Sequence, residues 1–196
     1  MNIGYNGFMN YCSHCGSARL QTIIPPGDDH PRIVCMDCAT IHYQNPIVVV
    51  GCIPTLDDQV LLCKRAIKPR YGKWTIPCGF MENGESVENG AQRETWEEAR
   101  AKVDLENIQL VYTVMHVNQV YIVFRSRLNP VEYAAGPESL EVELFKHSEI
   151  PWNELAFSSI ECALKTYIDD YSKGQNKTHW HSYRRPDHKP QQTDSS

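Results

Sequence analysis

Between Pro46 and Lys146, short apolar runs alternate with turn signals. The runs PIVVVGCIP and QVLLCKRA flank Asp57-Asp58-Gln59 and predict a hairpin. WTIPCGF predicts one short strand ending in a glycine. IQLVYTVMHV and QVYIVFRSRL, parted by a sharp polar turn near Asn118, predict a second hairpin, and LEVELFK a further strand. Two helices are expected. One covers about 86–100; the other starts at Ser158, where Ser-Ser-Ile-Glu reads as a capping box, and runs through ALKTYIDDY. Upstream, RLQTII and PRIV predict two short strands around the turn PPGDDH. After Lys173 the periodicity stops, which predicts a polar tail, mobile over at least its last ten residues. The pattern therefore divides the chain into 1–43, 44–172 and 173–196, with no internal repeat.

Composition narrows the class. The 196 residues, 41% hydrophobic and 22% charged, suit one ordinary soluble domain plus a small module. The formal net charge of −5 disfavours a nucleic-acid partner, because phosphate binding rewards a basic surface. No apolar run approaches the ~20 residues that span a bilayer. The N-terminal MNIGYNGFMNYCSHCG lacks a basic stretch followed by an apolar one, so it does not read as a secretory signal. A cytoplasmic protein without membrane contact is the expectation.

Four of the eight cysteines form two CxxC pairs, Cys12/Cys15 and Cys35/Cys38. Four thiolates on two such turns suit tetrahedral zinc. Disulfides fit poorly with a reducing compartment, and a redox CxxC normally stands alone at a helix N-terminus. A module this short cannot bury enough surface to fold unaided, so bound metal would supply the missing free energy. A structural clip or dimerisation element is favoured over nucleic-acid binding, since the module lacks a basic, aromatic-rich face. Cys52, Cys63, Cys78 and Cys162 lie in apolar segments as small hydrophobes.

The densest chemistry follows WTIPCGF. Glu94, Glu97 and Glu98 stand at i, i+3 and i+4, so one helix face carries three carboxylates. Such a stripe is either a solvated acidic face or a nest for a hard divalent cation. On the stripe alone the solvated face is preferred; the preceding strand and glycine loop favour the cation. Glu85, eight residues before Arg93, is placed to fold back and pair with it.

Gly79, five residues, Glu85, seven residues, Arg93-Glu94, two residues, Glu97-Glu98: this spacing resembles the box of the Nudix hydrolases. The resemblance implies an α+β fold, a Nudix α/β/α sandwich with a mixed sheet, preceded by a small zinc ribbon. It implies magnesium or manganese held by Glu94 and Glu98, with Glu97 assisting as ligand or base and the Gly79 carbonyl as a further contact. Glu85 and Arg93 would clamp loop to helix. Arg100 stands where the family has glycine, and Thr95 where it has an aliphatic residue.

Beyond the box, YQNPIVVVGC, AGPESLEVELF, IPWNELAFSSI and HSYRRPDH resemble zinc-ribbon members that act as FAD or ADP-ribose pyrophosphatases. That implies hydrolysis of a small nucleotide's pyrophosphate with release of AMP, FAD ranking slightly ahead of ADP-ribose. The SQPWPFPxS stretch of NADH pyrophosphatases is missing. The proton acceptor is sought among Glu97, Glu138 and Glu141, with Glu97 and Glu141 preferred. Lys64 and Arg65 are candidates for phosphate contact, as are Arg184 and Arg185 in the tail. Tyr112 and Tyr121, with His116, Trp152 and Phe157, are candidates for ring stacking. A homodimer is expected. An RNA-decapping enzyme and a catalytically dead sensing module are the alternatives; the acidic charge opposes the first and the intact carboxylates the second.

Overall fold

Knuckle turns dominate the first of two units, which divide at Pro46 and Ile47. The computed structural model describes residues 9–184. In each CxxC turn the residue after the second cysteine adopts a left-handed backbone. Gly16 (φ 74°) and Ala39 (φ 57°) send their N–H groups to the carbonyls of Cys12 and Cys35, each at 2.9 Å. Strands β1 (Leu20–Ile23), β2 (Arg32–Cys35) and β3 (Ile41–His42) form an antiparallel sheet in that order. Between β1 and β2, the Asp28 carboxylate accepts from Arg32 Nε at 2.9 Å and tightens the turn. Among the described residues of this unit the buried apolar ones are Cys12, Pro25, Val34 and Cys35, too few to make a conventional core.

The second unit is built on strand alternation. Its strands are β4 (Ile47–Leu56), β5 (Gln59–Arg65), β6 (Trp74–Thr75), β7 (Cys78–Phe80), β8 (Val103–Val114), β9 (Gln119–Leu128), β10 (Ser139–Lys146) and β11 (His179–Tyr183). The helices are α1 (Val87–Ala99) and α2 (Ser158–Ser172). The sheet order is β10-β5-β4-β9-β8-β11, with β4/β9 and β8/β11 parallel and the other pairings antiparallel. Val49, Ile53, Val60 and Leu62 pack with Ile160, Ala163 and Leu164 of α2. Val50, Cys52, Leu61 and Cys63 pack with Ala91 and Ala99 of α1. Neighbouring residues thus face opposite helices, as the period of two demands. This is the α/β/α sandwich. Burial of Ile160 and Leu164, both 0% exposed, stabilises the α2 side by roughly 1.5–3 kcal/mol each.

Three features depart from the sequence reading. WTIPCGF is two strands, because Pro77 cannot donate to a ladder. β6 pairs with β5, while β7 pairs with β4 from Val49 to Gly51. β4 and β5 pair only at Thr55↔Val60 and Leu56↔Gln59, so they diverge and β6 and β7 fill the gap. The capping box at Ser158 does not form. Phe157 is the N-cap without a side-chain bond, and Glu161 instead pairs with Lys165 one turn on. The expected tail contributes β11. Asp170, 1% exposed, accepts from Gln109 Nε2 (3.2 Å), Arg125 Nη2 (3.3 Å) and His179 Nε2 (2.9 Å), which fastens β11 to α2 and the sheet. Apolar periodicity carries no trace of such a polar anchor. Arg185 and the final ten residues lie outside the described residues. Among those described, no helix is long and apolar enough to cross a membrane.

Candidate active site

Ser86 starts α1, its Oγ accepting from Asn89 N at 3.2 Å. At the other end Arg100 takes a left-handed conformation (φ 48°), the backbone that makes glycine usual at this position, and its N–H reaches the Trp96 carbonyl. The helix turns Glu94 (9% exposed) and Glu98 (6%) into the protein and leaves Glu97 at the rim. Thr95 is buried on the same side and bonds back to the Ala91 carbonyl.

The guanidinium of Arg93 organises one half of the site. Its Nε and Nη2 donate to Glu85 at 3.0 and 2.8 Å, and Nη2 also reaches the Phe80 carbonyl at 3.0 Å. Nη1 donates to Glu94 (2.7 Å) and Glu97 (3.2 Å). The Arg93 hydrogen bonds, with the Glu82 N–H, hold the Glu85 carboxyl down at about 2. The loop between β7 and α1 is thereby tied to the helix.

Glu98 lies outside that network. Its Oε2 accepts from the Cys78 N–H at 3.1 Å. Burial pushes its carboxyl up to about 8, and the charges of Glu94 and Glu138 add to the rise, against that N–H and Arg65. Burial also raises Glu94, with Glu97 and Glu138 contributing against Arg93. Two buried carboxylates so crowded match the oxygen donors that a hard divalent cation takes. Gly79 of β7 packs directly on Glu94; a Cβ there would overlap its carboxylate. On α1, a Cβ at Gly90 would fall 2.7 Å from Glu85 Oε1 and 2.8 Å from Val50 Cγ2.

Spacing alone does not reveal the loop of residues 129–138. Its N–H groups at Ala134 and Gly136 donate to the last carbonyls of α1, Ala99 O at 2.8 Å and Glu98 O at 2.9 Å. A Cβ on Gly136 would overlap the Glu97 carbonyl. The loop ends at Glu138, whose charge acts on both buried carboxylates.

Other candidates separate. Glu141 stands opposite Lys64 across β10 and β5, and the two side chains pair at 3.2 Å. Lys64 Nζ also lies 5.3 Å from the Trp74 ring centroid. Arg65 takes another course: its Nε donates to the Pro69 carbonyl at 2.9 Å, and its guanidinium lies 5.3 Å from the Phe157 ring. Tyr112 (6% exposed) and Tyr121 (9%) are packed in the core beneath α2, not on an open stacking surface. Trp152 is half-buried, with Lys165 over its ring. His116 meets Tyr183 edge-on at 5.6 Å, and Arg184 is exposed just past β11.

In the first unit, the Cys12, Cys15, Cys35 and Cys38 sulfurs lie within 4.8 Å of one another. Cys12–Cys38 and Cys15–Cys35 are 3.7 and 3.6 Å apart. A zinc tetrahedron with bonds of about 2.3 Å has edges of about 3.8 Å, so the set fits that ion. The Thr40 hydroxyl beside Cys38 draws its thiol down toward the thiolate that metal requires, while Cys15, despite a backbone hydrogen bond at Ser17, is raised by the sulfurs crowded around it. Cys52, Cys63, Cys78 and Cys162 are free.

The NUDIX domain family model matches residues 45–167, and a Nudix N-terminal zinc-ribbon model matches residues 10–44. The ADP-ribose pyrophosphatase of Methanocaldococcus jannaschii is 32% identical over 140 residues, covering 68% of this chain and 78% of that protein. The NAD-capped RNA hydrolase NudC of Photobacterium profundum is 33% identical over 98 residues. That match covers 48% of this chain and 33% of NudC, so the chain spans about a third of that relative. A crystal structure of a NUDIX hydrolase from Nitrosomonas europaea superposes with a TM-score of 0.86 at 49% identity, covering 90% of this chain and all of that one.

Proposed function

The chain belongs to the Nudix hydrolase family, whose members hydrolyse pyrophosphate bonds, and from that premise we propose that it cleaves ADP-ribose to AMP and ribose 5-phosphate with magnesium or manganese. FAD, cleaved to FMN and AMP, is the second substrate in this reading. ADP-ribose moves ahead of FAD because a relative bearing that activity in its name aligns over most of its own length.

The observation that carries the reading is the pair of buried carboxylates, Glu94 pressed against the strand glycine Gly79 and Glu98 on the N–H of the neighbouring Cys78. Those two side chains and the Gly79 carbonyl would hold the divalent cation, with Glu97 at the rim. Such a cation, when bound, neutralises phosphate charge and lowers the pKa of water. The protein's own groups do the rest. Arg93 keeps Glu94 and Glu97 oriented and fixes the glycine loop through Glu85. Glu97, exposed at the rim, and Glu138, whose charge reaches both buried carboxylates, are the candidates to take the proton of the attacking water. Glu141, paired with Lys64, is a weaker choice for that role. The four cysteines would hold a structural zinc.

Hydrolysis of ADP-ribose, FAD, NADH and NAD-capped RNA, compared by kcat/KM with product identification, tests the reading. ADP-ribose is expected to lead. Capped RNA leading by tenfold or more would support the NudC-like alternative that the partial relative suggests.

A further inference from the structure

The sheet of the second unit ends in two edges of opposite character. At one end β10 carries exposed Glu141, Glu143 and Lys146, and such charges discourage a further strand from pairing there. At the other end β11 reads HWHSY, with no Asp, Glu, Lys, Arg or Pro. It lies parallel to β8 in one unbroken register from His179 to Tyr183, and among the described residues no strand pairs with its outer side. Trp180, 73% exposed, is the most exposed large apolar side chain among those described, and Tyr183 is exposed too.

This open edge is held in place. His179 Nε2 reaches the buried Asp170 carboxylate at 2.9 Å, and the Thr178 hydroxyl donates to the Ile108 carbonyl at 2.8 Å. Asp170 is itself fixed by Gln109 and Arg125. A buried polar anchor thus secures a strand whose last four residues are all exposed. A fixed, uncharged row of backbone donors and acceptors is a template for strand addition.

We propose that β11 pairs antiparallel with β11 of a second copy of this chain, about a two-fold axis through His181, so that two sheets join into one. The strand is self-complementary in that register. Alternation puts Trp180 and Ser182 on one face, and His179, His181 and Tyr183 on the other. Each Trp180 then meets the small Ser182 of the second copy rather than a second indole, each His179 meets Tyr183, and the two His181 rings meet at the axis. HWHSY offers no charge for an acidic or basic peptide to pair with, which favours the chain's own strand as occupant. A five-residue ladder with its indoles falls short of the ~800 Å² per partner of a standard interface, so the dimer is weak, with Kd on the order of 1–10 µM. The pairing is independent of which nucleotide the protein hydrolyses.

Sedimentation equilibrium of the full chain, from roughly 1 to 100 µM, tests this and should show a monomer–dimer equilibrium. His181→Asp sets two carboxylates opposite each other at the axis, and Trp180→Lys removes the indole. Each should weaken the dimer at least about tenfold with an unchanged far-UV spectrum. His181→Cys reads the register without relying on affinity, because directly opposite residues lie close enough for a disulfide. Mild oxidation should link two chains through position 181, whereas Trp180→Cys, which faces Ser182, should give no more covalent dimer than the wild type. A wild type that stays monomeric throughout would overturn the proposal. So would dimers that survive both His181→Asp and Trp180→Lys, since another surface would then join the chains. Efficient linking through position 180 but not through 181 would overturn the two-fold register equally.

Discussion

In the first unit the polar cluster stands where a core would be; in the second it stands against one. Cys12, Cys15, Cys35 and Cys38 converge, and little apolar surface surrounds them. Glu94 and Glu98 are set beside two well-packed apolar clusters, and their charges oppose each other. Thiols gathered for a metal make the fold depend on that metal. Carboxylates gathered on a finished scaffold weaken it and serve chemistry. Loss of a ligand should therefore cost fold in the first unit and activity in the second.

The largest expected effect is on turnover. Glu98→Gln should lower kcat/KM on the order of 1000-fold while leaving the far-UV spectrum intact, because the amide oxygen still accepts from the Cys78 N–H. Steady-state rates beside circular dichroism check this. Activity near the wild-type value would remove Glu98 from the proposed metal ligands.

Cys35→Ser should release the zinc, about one ion per chain by metal analysis, and open residues 1–46 to protease. The second unit should keep its spectrum and most of its activity. Simultaneous unfolding of both units would erase the contrast between them.

A smaller effect is the pH dependence of stability without added divalent cation. The folded Glu98 carboxyl sits at about 8 against an ordinary 4.5, so between those values the native state binds the extra proton. Stability contributed by that proton is present below about 4.5 and is lost as pH rises through about 8. Tm should fall between pH 5 and pH 8 by several degrees, and Glu98→Gln should flatten the slope. Glu85 has the opposite sign: its carboxyl, held at about 2 by Arg93, adds stability above 4.5 that is lost as pH falls toward 2. A rising Tm from pH 5 to pH 8 would contradict the crowding of Glu98.

The smallest expected effect concerns Arg100. Arg100→Gly removes the left-handed strain but gives up the 5.7 Å stacking on Trp96. A gain of at most about 1 kcal/mol, or 2–4 °C in Tm, is expected. A clear loss would give the stacking the greater weight.

The sequence disclosed features that depend on spacing along one element. The two CxxC turns, the i, i+3, i+4 carboxylates and the alternation of Val49 with Val50 are of this kind. Features that depend on tertiary partners stayed hidden. Side-chain period separates Lys64 from Arg65 but does not say that Trp74 and Glu141 will claim the lysine. Tyr112 and Tyr121 read as ring platforms until α2 covers them. HWHSY has no apolar rhythm, because β11 is held by Asp170 through His179. Gly136 and Glu138 gain their place from carbonyls at the end of α1, some forty residues earlier in the chain.

The most direct test of the central claim is hydrolysis of ADP-ribose by the full chain in water enriched in oxygen-18, with and without magnesium. The account predicts AMP and ribose 5-phosphate as the two products, one labelled oxygen entering one of their phosphates, and no reaction without a divalent cation. An intact ADP-ribose, or release of inorganic phosphate or pyrophosphate from a nucleoside triphosphate as the fastest reaction, would contradict it.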